Sequence, residues 1–164
     1  VELSSMVRDT VIYGSVVRIR KGFRGNLQIF ASDSVIVEEG AMLEYPSGIY
    51  VDSGERRPYV SLERGSKVNG YIIVTSQNSD SQLRYPSYVH KSGATLNGLL
   101  YVDGSCNIEG DIIGAAYVKD CYYYSNGNVY AGTLYDARVV RSDSLAFPIF
   151  LKGPYERKMI KKLH

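Results

Sequence analysis

Residues 88–100 read YVHKSGATLNGLL, and residues 107–113 read NIEGDII. In both stretches a large apolar side chain lies two positions before a glycine and another lies two positions after it, as with Leu96 and Leu100 around Gly98. Side chains two positions apart in a β-strand point to the same face. The pattern therefore predicts short strands whose large residues share one buried face.

The same arrangement, large residue, any residue, glycine, any residue, large residue, recurs along the chain. Its central glycines are Gly14, Gly25, Gly70, Gly98, Gly110 and Gly132. We expect these glycines to mark corners, where a side chain would crowd the turning backbone. A companion motif, in which a strand-like stretch leads into a glycine, a small residue and then an aliphatic one, spans 35–43, 60–68 and 88–96, with a looser copy at 102–108.

Strands this short cannot fold alone, so successive copies must stack and bury aliphatic side chains such as Val68, Leu96 and Ile108. The predicted fold class is therefore all-β, a single-stranded parallel β-helix or solenoid. The composition agrees, because 16 glycines, 15 tyrosines and no tryptophan in 164 residues, 45% of them hydrophobic, suit half-buried strands and tight turns. We expect little helix.

The organisation predicted from the sequence is one β-helix domain over residues 1–151, followed by a basic segment at 152–164 that forms either a short capping helix or a tail. Residues 53–58 and 76–87 lose the alternation and are expected to be loops inserted at corners. Because the chain begins at Val1, we expect that an N-terminal signal or membrane anchor could precede it.

Charge argues against nucleic acid as a partner. Residues 152–164 carry five basic side chains and one acidic one, which leaves the rest of the chain with 14 basic and 16 acidic groups. A nucleic-acid groove needs clustered Lys and Arg along one face. The longest apolar run, residues 145–151, is also far too short for a membrane span.

The stretches at 93–100 and 107–113 resemble the repeats of bactofilins, the polymer-forming cytoskeletal proteins of bacteria, and the resemblance is best over residues 60–140. It implies a right-handed β-helix that polymerises end to end without nucleotide, often at a membrane. Similar repeats also occur in hexapeptide acyltransferases and in polysaccharide-active β-helices, so the pattern is more specific for fold than for function.

Candidate catalytic groups are few. The two histidines, His90 and His164, are too few for a zinc site, and His90 is expected on the outer surface of its strand. Asp103, Glu109 and Asp111 are close enough in sequence for a glycosidase pair or a calcium site, but the positions beside Gly110 should face solvent. We expect no enzyme activity, no metal and no cofactor.

The two cysteines, Cys106 and Cys121, are separated by 15 positions and fit no redox motif. We expect them to be buried strand residues or a single structural disulfide.

The consecutive tyrosines Tyr122, Tyr123 and Tyr124 are the candidate contact residues. At least one must be exposed if the segment is extended, and exposed tyrosine rings suit sugars or partner proteins. A stack of aromatic rings along one face is the structural alternative.

The predicted function is a non-catalytic structural module that self-associates, with the cell envelope or surface favoured over the cytoplasm. The alternative is a surface-exposed, adhesin-like or carbohydrate-binding module that uses Tyr122–Tyr124 and the loop at 76–87 to contact a glycan or an envelope protein.

Overall fold

The computed structural model describes residues 1–3, 7–76 and 85–142 and contains twelve strands and no helix within these ranges. The strands are β1 (Glu2–Leu3), β2 (Thr10–Ile19), β3 (Arg24–Gly25), β4 (Leu27–Val37), β5 (Met42–Asp52), β6 (Tyr59–Leu62), β7 (Lys67–Thr75), β8 (Tyr88–His90), β9 (Thr95–Ile108), β10 (Asp111–Ser125), β11 (Asn128–Ala131) and β12 (Arg138–Val140). Every pairing is parallel except that of β10 with β11. The all-β prediction is confirmed.

The predicted open β-helix is wrong, because the sheet closes into a six-strand parallel barrel. Strands β4, β6, β8, β9, β7 and β5 follow one another around the ring, and β5 pairs back onto β4. The remaining strands extend this barrel. The solenoid description and the one-dimensional repeat that it implied are therefore replaced by a closed sheet.

Two long strands close the ring. The first part of β4 pairs with β5 and its second part with β6, while β9 pairs first with β7 and then with β8. Each long strand thus belongs to both halves of the sheet. Closure leaves the ring strands without free edges, an advantage that local alternation cannot reveal.

The core lies inside this ring, continues onto the flanking strands β2 and β10, and consists mainly of aliphatic residues in register. Val68 pairs with Leu96, and Leu96 pairs with Ile112 on β10. None of the three exposes any surface, and Ile108 is also buried. Burial of these side chains is the main favourable contribution to folding.

A tight turn recurs where the companion motif places its glycine. The amides of Ala41, Ser66 and Ala94 donate to the carbonyl three residues earlier. The glycine before each of them has φ of 68°, 70° or 78°. A positive φ at the third position defines a type II turn, which strongly favours glycine there.

The six glycines predicted to mark corners occupy different kinds of position in the structure. Gly70 and Gly98 are register partners with φ of 148°, and an added Cβ at Gly98 would overlap the carbonyl oxygen of Gly70. The third member of this column is Gly114, which the pattern did not select. Gly14 and Gly25 lie within strands, Gly110 precedes β10, and Gly132 follows β11 in an exposed turn.

The predicted loop at residues 53–58 is confirmed, since it connects β5 to β6. Of the second predicted loop, residues 76 and 85–87 lie outside strands and 77–84 fall outside the described residues. The basic segment at 152–164 also lies outside them.

Candidate functional site

One row of parallel strands crosses the molecule in the order β2, β4, β5, β7, β9 and β10. At its first end, β1 pairs only with Arg18 and Ile19 of β2. At its last end, β12 pairs with residues 111–113 of β10 and β11 with residues 122–125. Within the described part of the chain, residues 10–14 and 114–118 therefore form unpaired strand edges at the two ends of one row.

The outer face of this row carries a line of large side chains, here named the outer column. Register places one member on each strand: Tyr13, Phe30, Tyr50, Ile73, Tyr101 and Tyr117. The end members are the most exposed, with 73% of Tyr13 and 62% of Tyr117 accessible. The column therefore reaches from one open edge to the other.

The rings at the β2 end of the outer column are in contact. Tyr13 and Phe30 stack with centroids 5.1 Å apart and planes 15° from parallel, whereas Phe30 and Tyr50 lie 6.0 Å apart at 53°. Stacked neighbours turn their faces toward one another. Tyr13 therefore ends the stack with one ring face uncovered by Phe30, at the edge of the sheet.

Polar side chains lie beside the outer column, two residues further along four of the strands. This polar column consists of Ser32, Asp52, Thr75 and Asp103. The Tyr50 hydroxyl lies 3.4 Å from one oxygen of Asp52, and the Gly54 amide donates to the other at 3.1 Å. A shallow groove of about 380 Å³ runs between the two columns, lined by Tyr13, Gly14, Phe30, Ala31, Ser32, Tyr50 and Asp52.

The tyrosines selected from the sequence do not form one exposed platform. Tyr122 is buried, and Tyr123 stacks on Tyr135 with centroids 4.3 Å apart while Tyr130 lies 6.1 Å away. The Tyr124 hydroxyl oxygen is buried and finds no hydrogen-bond partner among the described residues. Burial raises the pKa of both Tyr122 and Tyr124, so their hydroxyls stay protonated at neutral pH.

The predicted surface position of His90 is wrong. All three residues of β8 are buried, and His90 Nδ1 lies 2.9 Å from the Tyr88 hydroxyl. Burial lowers the pKa of His90 because the surrounding apolar residues disfavour the imidazolium. His90 is therefore a neutral core residue near pH 7.

The carboxylates near Gly110 are not gathered into one site. Asp111 accepts from Arg138 at 2.9 Å, and Asp103 lies 3.9 Å from the Lys119 ammonium. Among the described residues, no group of three or more His, Cys, Asp or Glu could hold a metal ion.

The two cysteines are free thiols that occupy paired positions on β9 and β10. Cys106 is buried in the core, and Cys121 packs against it. Burial raises the pKa of both thiols, most strongly that of Cys106.

The outer column was missed because its members are separated by 16 to 28 residues in the sequence. A local signal was present nonetheless. In four strands an inward Ile or Leu is followed at once by an aromatic residue, as in Ile12-Tyr13, Ile29-Phe30, Ile49-Tyr50 and Leu100-Tyr101.

Comparison with known proteins gives no relative: no family model, no curated protein and no solved structure matches this chain. The resemblance to bactofilins therefore stays a prediction. In the described ranges the structure has no helix of the length and apolarity needed to cross a membrane.

Proposed function

We propose that this protein is a non-catalytic structural module whose copies associate head to tail through the open edges of β2 and β10. The observation that carries the proposal is the position of these edges. They end the same row of parallel strands, so the β10 edge of one copy meets the β2 edge of the next with every strand running in the same direction. Such an interface uses two different surfaces and can continue indefinitely.

The two edges are suited to each other in hydrogen bonding. An unpaired parallel edge presents free amides and carbonyls that pair with another strand. Continuing the register would place Tyr117 of one copy beside Tyr13 of the next, because both belong to the outer column. The exposed ring of Tyr13 would then gain an aromatic neighbour.

Charge also favours contact between opposite ends. Residues 1–25, which include β1 to β3, carry five basic and two acidic side chains, whereas residues 111–142, which include β10 to β12, carry three of each. Two basic ends repel each other, so charge disfavours contact between two identical β2 ends and leaves contact between opposite ends favoured.

Two edge-blocking variants test the proposal. Tyr13→Lys places a charge on the β2 edge, and Tyr117→Lys places one on the β10 edge, as edge lysines do in natural sheets. Sedimentation velocity should show that the unmodified protein grows in mass with concentration, whereas each variant remains a monomer. An equimolar mixture of the two variants should form a one-to-one dimer and stop there, since each supplies one open edge.

Tyr85→Lys is the matched control, because Tyr85 is 65% exposed and lies outside the outer column and outside both edges. It should associate like the unmodified protein, and thermal melting should show that all three variants are folded. A strictly monomeric unmodified protein at high concentration, or dimerisation of either edge variant alone, would contradict the head-to-tail arrangement.

A further inference from the structure

We infer that the groove between the outer column and the polar column binds a linear, uncharged glycan lying across the strands. The centre of the glycan site lies on β4 and β5, inside the row, and only its outermost residues, Tyr13 and Gly14, also belong to the β2 edge. It also differs from the surface expected at Tyr122–Tyr124, which the structure shows to be partly buried and internally stacked.

The chemistry of the two columns matches the two kinds of surface on a pyranose ring. A sugar presents an apolar face of C–H groups and a rim of hydroxyls. Aromatic side chains contact such C–H faces, and carboxylates and hydroxyls bond to the rim. Here the aromatic wall consists of Tyr13, Phe30 and Tyr50, and the polar wall consists of Ser32 and Asp52.

Tyr50 and Asp52 form the centre of the groove. The Tyr50 ring is inclined by 53° to Phe30 with the centroids 6.0 Å apart, so the face of Tyr50 is not covered by a parallel stack with Phe30. Asp52 is exposed, and its contacts with Gly54 and with the Tyr50 hydroxyl hold its carboxylate at the rim of the groove. A carboxylate oxygen can accept more than one hydrogen bond, so those contacts leave capacity for a sugar hydroxyl.

The sheet repeats this arrangement along its length. Adjacent strands lie about 4.8 Å apart, a distance comparable with one sugar in an extended chain. Beyond Tyr50 and Asp52 the strands present Ile73 beside Thr75, and Tyr101 beside Asp103. A linear glycan that crosses the strands therefore meets a new apolar group and a new polar group at each step.

The negative charge in the groove favours an uncharged glycan over an acidic one. The groove contains the Asp52 carboxylate and no basic side chain among its lining residues. Further along the polar column, Lys119 is the basic group near Asp103. An acidic glycan would thus meet like charge at the centre of the groove without a compensating cation.

Isothermal titration with cellohexaose and chitohexaose tests this site, with cellotriose as a short ligand and an oligogalacturonate as an acidic one. We expect at least one neutral hexamer to bind at submillimolar concentration, more tightly than the trimer and the acidic oligomer. Tyr50→Ala should weaken that binding about tenfold through loss of the ring contact. Asp52→Asn, which keeps the size and the acceptor for the Gly54 amide, should weaken it by about three- to tenfold.

Tyr85→Ala is the matched control, because Tyr85 is 65% exposed and lines a separate groove with Asn126 and Asn128 at the β10–β11 turn. This variant should bind the hexamer like the unmodified protein. The inference is overturned if neither hexamer binds at millimolar concentration, if Tyr50→Ala and Asp52→Asn leave binding unchanged, or if Tyr85→Ala causes the loss instead. Sedimentation of the same samples reports self-association separately, and both groove variants should associate normally.

Discussion

The ring strands and the C-terminal strands differ sharply in how they are stabilised, although both are rich in β-forming residues. One inward column of the sheet runs through Val68, Leu96 and Ile112 to Val139 on β12. The first three are completely buried, whereas Val139 is 45% exposed. The difference shows that a valine contributes most when strands pack on both sides of it, whatever its intrinsic preference for β structure.

The C-terminal strands depend instead on local contacts. Every residue of β11 and β12 is exposed. The hairpin turns at Asn126 and Gly127, both with positive φ, and Tyr123 stacks on Tyr135 nearby. The ion pair between Arg138 and Asp111 is largely solvated, and such pairs contribute at most about 1 kcal/mol. We therefore expect β11 and β12 to open before the ring does.

Gly98→Ala should cause the largest loss of stability, because Gly98 lies directly against the backbone of Gly70 in the ring. The new methyl group would collide with the Gly70 backbone, and φ of 148° is unfavourable for alanine. Overpacking and backbone strain together should lower the free energy of unfolding by about 4 kcal/mol. Urea titration measures this change.

Gly127→Ala provides the matched test in the hairpin. Gly127 has φ of 79° but no atom within 4 Å of an added Cβ, so only conformational strain remains. We expect Gly127→Ala to lower the free energy of unfolding by about 1 kcal/mol. Equal losses at Gly98 and Gly127 would show that the ring is no more tightly packed than the hairpin.

The next prediction compares the stability lost at a ring strand and at a C-terminal strand within the same inward column. Leu96→Ala leaves a cavity in the ring and should lower the free energy of unfolding by about 3 kcal/mol. Val139→Ala, at the exposed end of the column, should cost less than about 1 kcal/mol because its site is already open to water. A comparable loss for the two variants in urea titrations would mean that β12 is as well covered as the ring.

The last expected effect comes from pH, through the buried His90 of β8. Because burial lowers the pKa of His90 in the folded state below its unfolded value of about 6.5, the unfolded chain binds more protons as the pH falls. The free energy of unfolding should therefore decrease from pH 7.5 to pH 5.5, with a slope of at most about 1.4 kcal/mol per pH unit.

His90→Gln should flatten this slope in urea titrations at several pH values. Glu38 and Glu44 also have shifted pKa values, but both are lowered from 4.5, so they titrate below this window. Glu38 is held by the Lys21 amide, and Glu44 by Arg24. An unchanged slope in His90→Gln would assign the pH dependence to other groups.

Several features of the fold were evident in local sequence. Alternation around Gly98 correctly predicts strands in which Leu96 and Leu100 are buried. The recurring turns lie instead at Gly40, Gly65 and Gly93 of the companion motif, for which no turn was predicted. His90 was misplaced because a three-residue strand with all of its residues buried has no alternation from which to tell inside from outside. The burial of Tyr122 was not evident for a related reason, since the register of β10 against β9 shifts between Val118 and Asp120.

The sequence by itself determined that the chain forms β-strands with an aliphatic interior, because side-chain direction in a strand depends only on adjacent positions. Only the tertiary structure decided that β5 returns to β4, that two edges of one row are unpaired among the described residues, and that Tyr13 and Tyr117 end the same column. Those features depend on which distant segments share hydrogen bonds. Strand pairing acts between backbones far apart in the chain, and no periodicity of side chains specifies it.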